Sequence, residues 1–314
     1  MFQLDVLILL ISLVLIAIIS EKFVAYVSKI AEIFRLSQMA AGFILLSVST
    51  SLPEMLVSII ASLKGEGGLS FGNVLGSNVA NLTIIMGIAV IISQTKVLIN
   101  DESQKDIIQF LFLSSIIPLF VVQRGSLSLV LSIVLLILFV YFSFIVSTEA
   151  SKTTVLKPPN VKDELLLGVK FIISLTLLII VSKYTVDSSI NIADFFGIPP
   201  SIIGATIVGL GTSLPELATT TQAFKKGLND MALGNLIGSC ITNLTLILGV
   251  TSLVSFSLVN TIAAGSIMFF ALLSTMTVWY IVSAKKSFGR RTALILIVIY
   301  LLFILQELGL IIIF

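Results

Sequence analysis

Apolar stretches of about twenty residues recur along this chain, roughly at 3–21, 38–63, 69–93, 106–123, 126–147, 164–186, 199–224, 230–255, 260–283 and 292–313. Each is long enough to cross a hydrocarbon core. In that medium every backbone N–H and C=O must be satisfied within the segment, which leaves the helix as the form such stretches can take. Charged residues make up 11% of the chain against 57% hydrophobic ones, where a soluble domain carries roughly 25% charged. The sequence therefore predicts an all-α integral membrane protein with ten transmembrane helices. The N-terminus, MFQLDVLILL, has no basic leader and runs straight into the first stretch, so it reads as a spanning helix rather than a cleaved signal.

One interval is clearly polar: TEASKTTVLKPPNVKD at 148–163. It divides the chain into residues 1–147 and 164–314, with five stretches in each. Shifting the chain by 162 positions lays residues 42–87 on 204–249 without a gap, with about 18 identities in 46 positions. The matches are Gly, Asn, Ser, Thr, Pro and Glu rather than the scattered Leu and Ile of two unrelated apolar helices. GNVLGSNVANLT at 72–83 meets GNLIGSCITNLT at 234–245, and STSLPE at 49–54 meets GTSLPE at 211–216. The two halves are internal repeats.

Five spans per half is an odd number, so the second half enters the membrane from the opposite face. The cations agree. Assigning loops alternately to the two sides puts 15 of the 18 Lys and Arg on one side; only Lys64, Arg124 and Lys183 fall on the other. By the positive-inside rule both termini are outside and the 148–163 linker is cytoplasmic. Inverted repeats whose second and seventh helices are broken at the centre are the layout of a secondary transporter.

The breaks come from Pro53 and Pro215. Each lacks an N–H and clashes with the carbonyl four residues back, which is that of Ser49 or Gly211. Carbonyls near 49–50 and 211–212 are thus expected to lose their helical partners at membrane depth, where such groups persist only if they line a cavity or meet a ligand. Thr50, Glu54 and Ser58 share one helix face, as do Thr212, Glu216 and Thr220. Asn73, Ser77 and Asn81 stack in the next span, mirrored by Asn235, Ser239 and Asn243. This is an all-oxygen set, suited to a hard cation. Two glutamates neutralise one Ca²⁺ or two Na⁺. A carboxylate at mid-bilayer costs at least ~2.5 kcal/mol, and no Lys or Arg stands near either one in sequence, so the counter-charge is a mobile cation or a proton.

Other classes find less support. Net charge is +2 and histidine is absent, which argues against nucleic-acid binding and against a histidine base. The single cysteine, Cys240, permits no internal disulfide. No enzyme activity, resident cofactor or obligate protein partner is expected; the lipid bilayer is the surrounding. A cation channel is the alternative from another class, but an inverted repeat builds one central site rather than a ring from identical subunits.

The paired motifs STSLPE…GNVLGSNVAN and GTSLPE…GNLIGSCITN resemble the α-repeats of sodium/calcium exchangers, within the cation/Ca²⁺ antiporter superfamily. The resemblance runs through ten spans and the central linker, whose shortness is similar to the minimal prokaryotic form. Proton-coupled relatives typically carry G-N-A-x-E in place of T-S-L-P-E. The resemblance implies antiport of Ca²⁺ against Na⁺ by alternating access, the first and sixth helices sliding over the rest; H⁺/Ca²⁺ or other cation antiport is the alternative within the superfamily. It implies a Ca²⁺ site of Glu54 and Glu216 with the carbonyls of Thr50 and Thr212. Flanking Na⁺ sites would use oxygens of Thr50, Ser51 and Ser77 and of Thr212, Ser213 and Ser239, with the carbonyls of Ser47 and Gly209. Asn81 and Asn243 would border the middle site. Three positions depart from the family pattern: Ser49 stands where Gly is usual, Ser47 replaces a small apolar residue, and Asn243 occupies a position that is often Asp.

Overall fold

The computed structural model of the chain describes residues 2–33, 47–93, 97–98, 103–124, 128–150, 164–254, 260–285 and 287–311. Helix α1 (Phe2–Ile33) is followed by α2 (Ser47–Thr50), α3 (Leu52–Leu63) and α4 (Gly67–Ala80). A π-helical turn at Asn81–Ile85 joins α4 to α5 (Met86–Ser93). Strand β1 (Val97–Leu98), α6 (Ser103–Ile116), α7 (Leu119–Arg124) and α8 (Leu129–Ala150) complete the first half. The second half has α9 (Glu164–Phe196), α10 (Pro200–Ile203), a π turn at Gly204–Val208, α11 (Gly209–Thr212), α12 (Leu214–Lys225) and α13 (Asn229–Thr242). A π turn at Asn243–Ile247 leads to α14 (Leu248–Val254), then α15 (Thr261–Tyr280), a fourth π turn at Ile281–Lys285, β2 (Ser287–Phe288) and α16 (Arg290–Glu307).

The repeat read from sequence is reproduced element by element. α2, α3, α4 and the π turn at 81 reappear as α11, α12, α13 and the π turn at 243, each displaced by 162 positions with the same bounds. The same helix break and the same π turn thus occur twice at matched positions.

Five helices among the described residues are long and apolar enough to span a membrane, or six if the bent pair Pro200–Thr212 and Leu214–Lys225, which meet at 41°, counts as one. That is fewer than the ten expected. Residues 38–46 of the second stretch lie outside the described residues. The fourth is interrupted at Ile117–Pro118, between α6 and α7. The tenth is α16, which includes Arg290, Arg291 and Glu307 and ends before 313 in a turn at Gly309 (φ 69°). The all-α expectation needs one correction: Val97–Leu98 pairs antiparallel with Ser287–Phe288. Two connecting segments, without helical partners for their backbones, satisfy one another.

The helices sort into an interior and a periphery. Most residues of the spans that include α4 and α13 are buried, whereas few of those in α1 and α9 are. α1 and α9 pack along one another antiparallel: Phe2 stacks on Phe195 with centroids 4.4 Å apart, Ser12 accepts from Thr185 at 2.9 Å, and Phe23 meets Phe171 at 5.1 Å. At 32 and 33 residues each is about 48 Å long at 1.5 Å per residue, well beyond a ~30 Å core. The first and sixth stretches, expected to stop near 21 and 186, therefore continue as helix beyond the charges Glu21, Lys22, Lys183 and Asp187.

The interior is held by backbone contact. α4 runs parallel to the 200–212 segment, with Leu69 against Gly204 and Gly76 against Ala205. A Cβ on Gly204 would sit 2.5 Å from the Leu69 carbonyl oxygen, and one on Gly76 would overlap the Ala205 backbone. Only glycine lets helices approach this closely, gaining the dispersion contact that stands in for the hydrophobic effect inside a membrane.

Candidate cation site

The two helix breaks are built alike. Ser51 (φ −80°, ψ 5°) and Ser213 (φ −85°, ψ 8°) occupy the bridge region between two helices, a conformation often seen at functional positions. Pro53 and Pro215 then stand in the first turn of α3 and α12, where a missing N–H costs nothing. Glu54 and Glu216 follow in that same turn. The positive end of a helix dipole favours a carboxylate there, which offsets part of the cost of burying it. The Gly211 carbonyl, whose helical partner would be the absent Pro215 N–H, accepts the Ser213 N–H instead.

Both glutamates are fully buried, and so are Thr50, Thr212, Ser213, Ser77, Ser239, Asn81 and Asn243; Ser51 and Ser47 are almost so. Ser213 Oγ donates to Glu54 Oε1 at 2.9 Å, reaching from one repeat into the other. Ser239 Oγ donates to Glu216 Oε1 at 3.3 Å. Ser51, the counterpart of Ser213, is buried beside Glu216.

Around the carboxylates the two repeats exchange contacts in matched pairs. Ser77 Oγ lies 3.5 Å from Thr212 Oγ1, and Ser239 Oγ lies 3.2 Å from Thr50 Oγ1. Thr212 donates to Asn73 Oδ1 at 3.3 Å, and Thr50 to Asn235 Oδ1 at 3.4 Å. The asparagine nitrogens are held in turn. Asn73 Nδ2 donates to Ser58 Oγ at 2.9 Å and to the Glu54 carbonyl at 3.1 Å. Asn235 Nδ2 donates to Thr219 at 3.0 Å and Thr220 at 3.3 Å. The carbonyls expected among the ligands already carry hydrogen bonds: Gly209 O accepts from Ser77 Oγ at 3.1 Å with Thr212 Oγ1 at 3.4 Å, and Ser47 O accepts from the Ser51 N–H at 3.1 Å with Thr50 Oγ1 at 3.3 Å.

Asn81 and Asn243 stand one turn beyond Ser77 and Ser239, at the first residue of their π turns. Neither hydrogen-bonds a glutamate. Asn243 Nδ2 donates to Asn78 Oδ1 at 3.0 Å, and Asn78 Nδ2 donates to the Cys240 carbonyl at 3.1 Å. Asn78 gives no signal in the sequence repeat, since it aligns with cysteine in the other copy. Asn73 and Asn235, outside the expected ligand set, hold Thr212 and Thr50, and Thr219 in turn holds Asn235.

Among the described residues several atoms within this cluster find no partner: Glu54 Oε2, Glu216 Oε2 and Asn243 Oδ1, along with both polar atoms of the Asn81 side chain. Leaving buried polar groups unpaired is costly, and here the unpaired atoms include two carboxylate oxygens. A hard cation would satisfy them. Among the described residues no group of three or more His, Cys, Asp or Glu forms a metal centre of the tight-binding kind; the set has two carboxylates and otherwise neutral oxygens. That combination suits an ion that must also leave.

Comparison with known proteins follows the same line. Residues 4–148 and 166–308 match the family described as sodium/calcium exchanger protein. The chain is 32% identical over 294 residues to sodium/calcium exchanger MaX1 of Methanosarcina acetivorans, covering 81% of this chain and 84% of that one. It is 30% identical over 258 residues to inner membrane protein YrbG of Escherichia coli K12, covering 79% of each. A solved structure of the sodium-calcium exchanger NCX_Mj superposes with a TM-score of 0.69 at 28% identity, covering 98% of this chain and 99% of that one.

Proposed function

We propose that this chain, which belongs to the sodium/calcium exchanger family, is a secondary antiporter that exchanges Ca²⁺ for Na⁺ by alternating access. Family membership makes it a multi-pass membrane transporter of cations rather than an enzyme. The finer reading rests on one observation above all: two fully buried glutamates from matched repeats each leave a carboxylate oxygen without a partner among the described residues.

In this reading Glu54 and Glu216, with the carbonyls of Thr50 and Thr212, take Ca²⁺. Oxygens of Thr50, Ser51, Ser77, Thr212, Ser213 and Ser239, with the carbonyls of Ser47 and Gly209, take Na⁺, and Asn81 and Asn243 border the centre. Since Na⁺ and Ca²⁺ draw on the same two negative charges, they compete rather than bind together, and competition for one site is what couples their movements in opposite directions. With Asn243 neutral the site has two negative charges, so an exchange of three Na⁺ for one Ca²⁺ would leave a net +1 on the Na⁺-loaded site and move charge.

We read the chain as two inverted five-span halves, 1–147 and 164–314, joined by a cytoplasmic linker at 148–163, with both termini outside. The gap between the two matched family segments, 149–165, supports that division, as do the antiparallel α1 and α9 and the 15-to-3 charge asymmetry. The pair of α1 and α9 is the sliding element. It meets the interior mainly through apolar contacts, with Leu9, Leu13 and Ile16 clustering with Val57, Ala61 and Val208 beside one half-exposed ion pair, Lys64 to Asp187; the apolar part is a non-directional surface suited to translation.

The test is Ca²⁺ uptake into proteoliposomes under an outward Na⁺ gradient, an outward pH gradient, or neither. Uptake driven by Na⁺ and stimulated by an inside-positive potential supports the reading. Uptake driven by pH and indifferent to Na⁺ would replace it with H⁺/Ca²⁺ antiport on the same glutamates.

A further inference from the structure

The internal repeat provides its own control, because each side chain in one half can be compared with its mate 162 positions away. By that measure the central asparagines are not equivalent. A backbone carbonyl only accepts, so the contact to the Cys240 carbonyl fixes Asn78 with its nitrogen toward α13. Its oxygen then faces Asn243, which must present its own nitrogen. The remaining atom, Asn243 Oδ1, is buried and meets no donor among the described residues. A chain of two hydrogen bonds, anchored on an atom that cannot reverse roles, thus dictates which end of the Asn243 amide is left available.

The mate of Asn243 is Asn81, and the mate of Asn78 is Cys240. In the first half, then, a cysteine stands where an amide would be needed. The Cys240 side chain lies against Asn81, but a thiol is a weak donor and a weak acceptor, and both polar atoms of the Asn81 amide remain unpaired. No comparable anchor selects between the two orientations of that amide.

We propose that Asn78 is a positioning residue: it holds Asn243 with its amide oxygen committed to the transported cation, while Cys240 at the matched position leaves Asn81 free to turn. The cation site is accordingly asymmetric, with a fixed neutral oxygen contributed by the second repeat and an adjustable amide by the first. This rests on the reading of Asn243 as bordering the site. It adds a residue that touches no ion and acts only through its neighbour.

Asn78→Cys tests it, because the fold already accepts cysteine at the matched position. Apparent Ca²⁺ affinity, from the concentration dependence of flux in proteoliposomes, should weaken by about two- to tenfold, the range spanned by one buried hydrogen bond. In an Asn243→Ala background the same substitution should have less than about a twofold effect, since a positioning residue has nothing left to position. The exchange Asn78→Cys with Cys240→Asn moves the hold from Asn243 to Asn81; it should recover affinity, and Asn81→Ala should then abolish the recovery. Full effects of Asn78→Cys without Asn243, or unchanged affinity in Asn78→Cys itself, would overturn the proposal. If Asn78→Cys loses stability in detergent, the Cys240→Asn variant alone decides: its effect on affinity must vanish when Asn81 is alanine. Wild-type protein that shows no Na⁺-driven Ca²⁺ flux would sink the antiport reading instead, a distinct outcome.

Discussion

At the scale of single residues the chain commits two negative charges to the middle of a membrane protein and shares them between repeats. Ser213 crosses from the second repeat to hold Glu54, while Glu216 is held by Ser239 from its own. In each case one carboxylate oxygen is anchored and the other is left open, which orients the open oxygen without neutralising it. Glu54→Gln and Glu216→Gln keep the shape and remove half the counter-charge. Each should lower Ca²⁺ affinity by on the order of a hundredfold or more, because electrostatic attraction in so dry a site is strong. Equilibrium binding of radiolabelled Ca²⁺ to purified variants measures this, and near-normal binding in either would contradict the assignment of that carboxylate. These two residues were fully legible in the sequence: a glutamate inside an apolar stretch is expensive, and one repeated behind a proline needs a counter-charge that no Lys or Arg supplies. Asn78 was not legible, because its importance lies in what it touches rather than in its being repeated.

At the scale of elements the decisive devices are the interrupted helix and the glycine crossing. Pro53→Ala returns an N–H that can reach the Ser49 carbonyl and mend the break between α2 and α3. The variant should fold at least as well as the parent yet bind Ca²⁺ about tenfold more weakly, as Thr50 and Glu54 are drawn into one continuous helix. Unchanged affinity would show that the break does not shape the site. Gly76→Ala tests the crossing. Its Cβ meets the Ala205 backbone, which cannot swing aside as a side chain could, so the helices must separate at a cost of roughly 1–3 kcal/mol. A fall in thermal stability in detergent is expected; an unchanged melting point would mean that α4 and the 200–212 segment are not truly in backbone contact. The proline breaks could be read from sequence because proline acts through its own covalent structure. The π turns at 81 and 243 and the β1–β2 pair could not, since they depend on which segments become neighbours.

At the scale of the whole molecule, two copies of one helical pattern enclose a site that neither could form alone: Thr50 reaches Ser239, Thr212 reaches Ser77, and Ser213 reaches Glu54. This organisation is legible in the amino-acid sequence, since a 162-residue offset preserves the polar positions while letting the lipid-facing ones drift. The extents of the peripheral helices are less legible. α1 and α9 continue past their charged residues because they lean on each other, and Lys64 at the end of α3 forms an ion pair with Asp187 on α9, a tertiary contact that hydropathy does not encode. Central to the proposed exchange is that Ca²⁺ and Na⁺ share one pair of carboxylates. Equilibrium Ca²⁺ binding to the purified protein, titrated with Na⁺ at constant ionic strength, tests that most directly. The prediction is one Ca²⁺ per chain, displaced completely and cooperatively by Na⁺ but not by an equal concentration of a bulky organic cation. Ca²⁺ that stays bound at saturating Na⁺, or binding that survives loss of both Glu54 and Glu216, would contradict it.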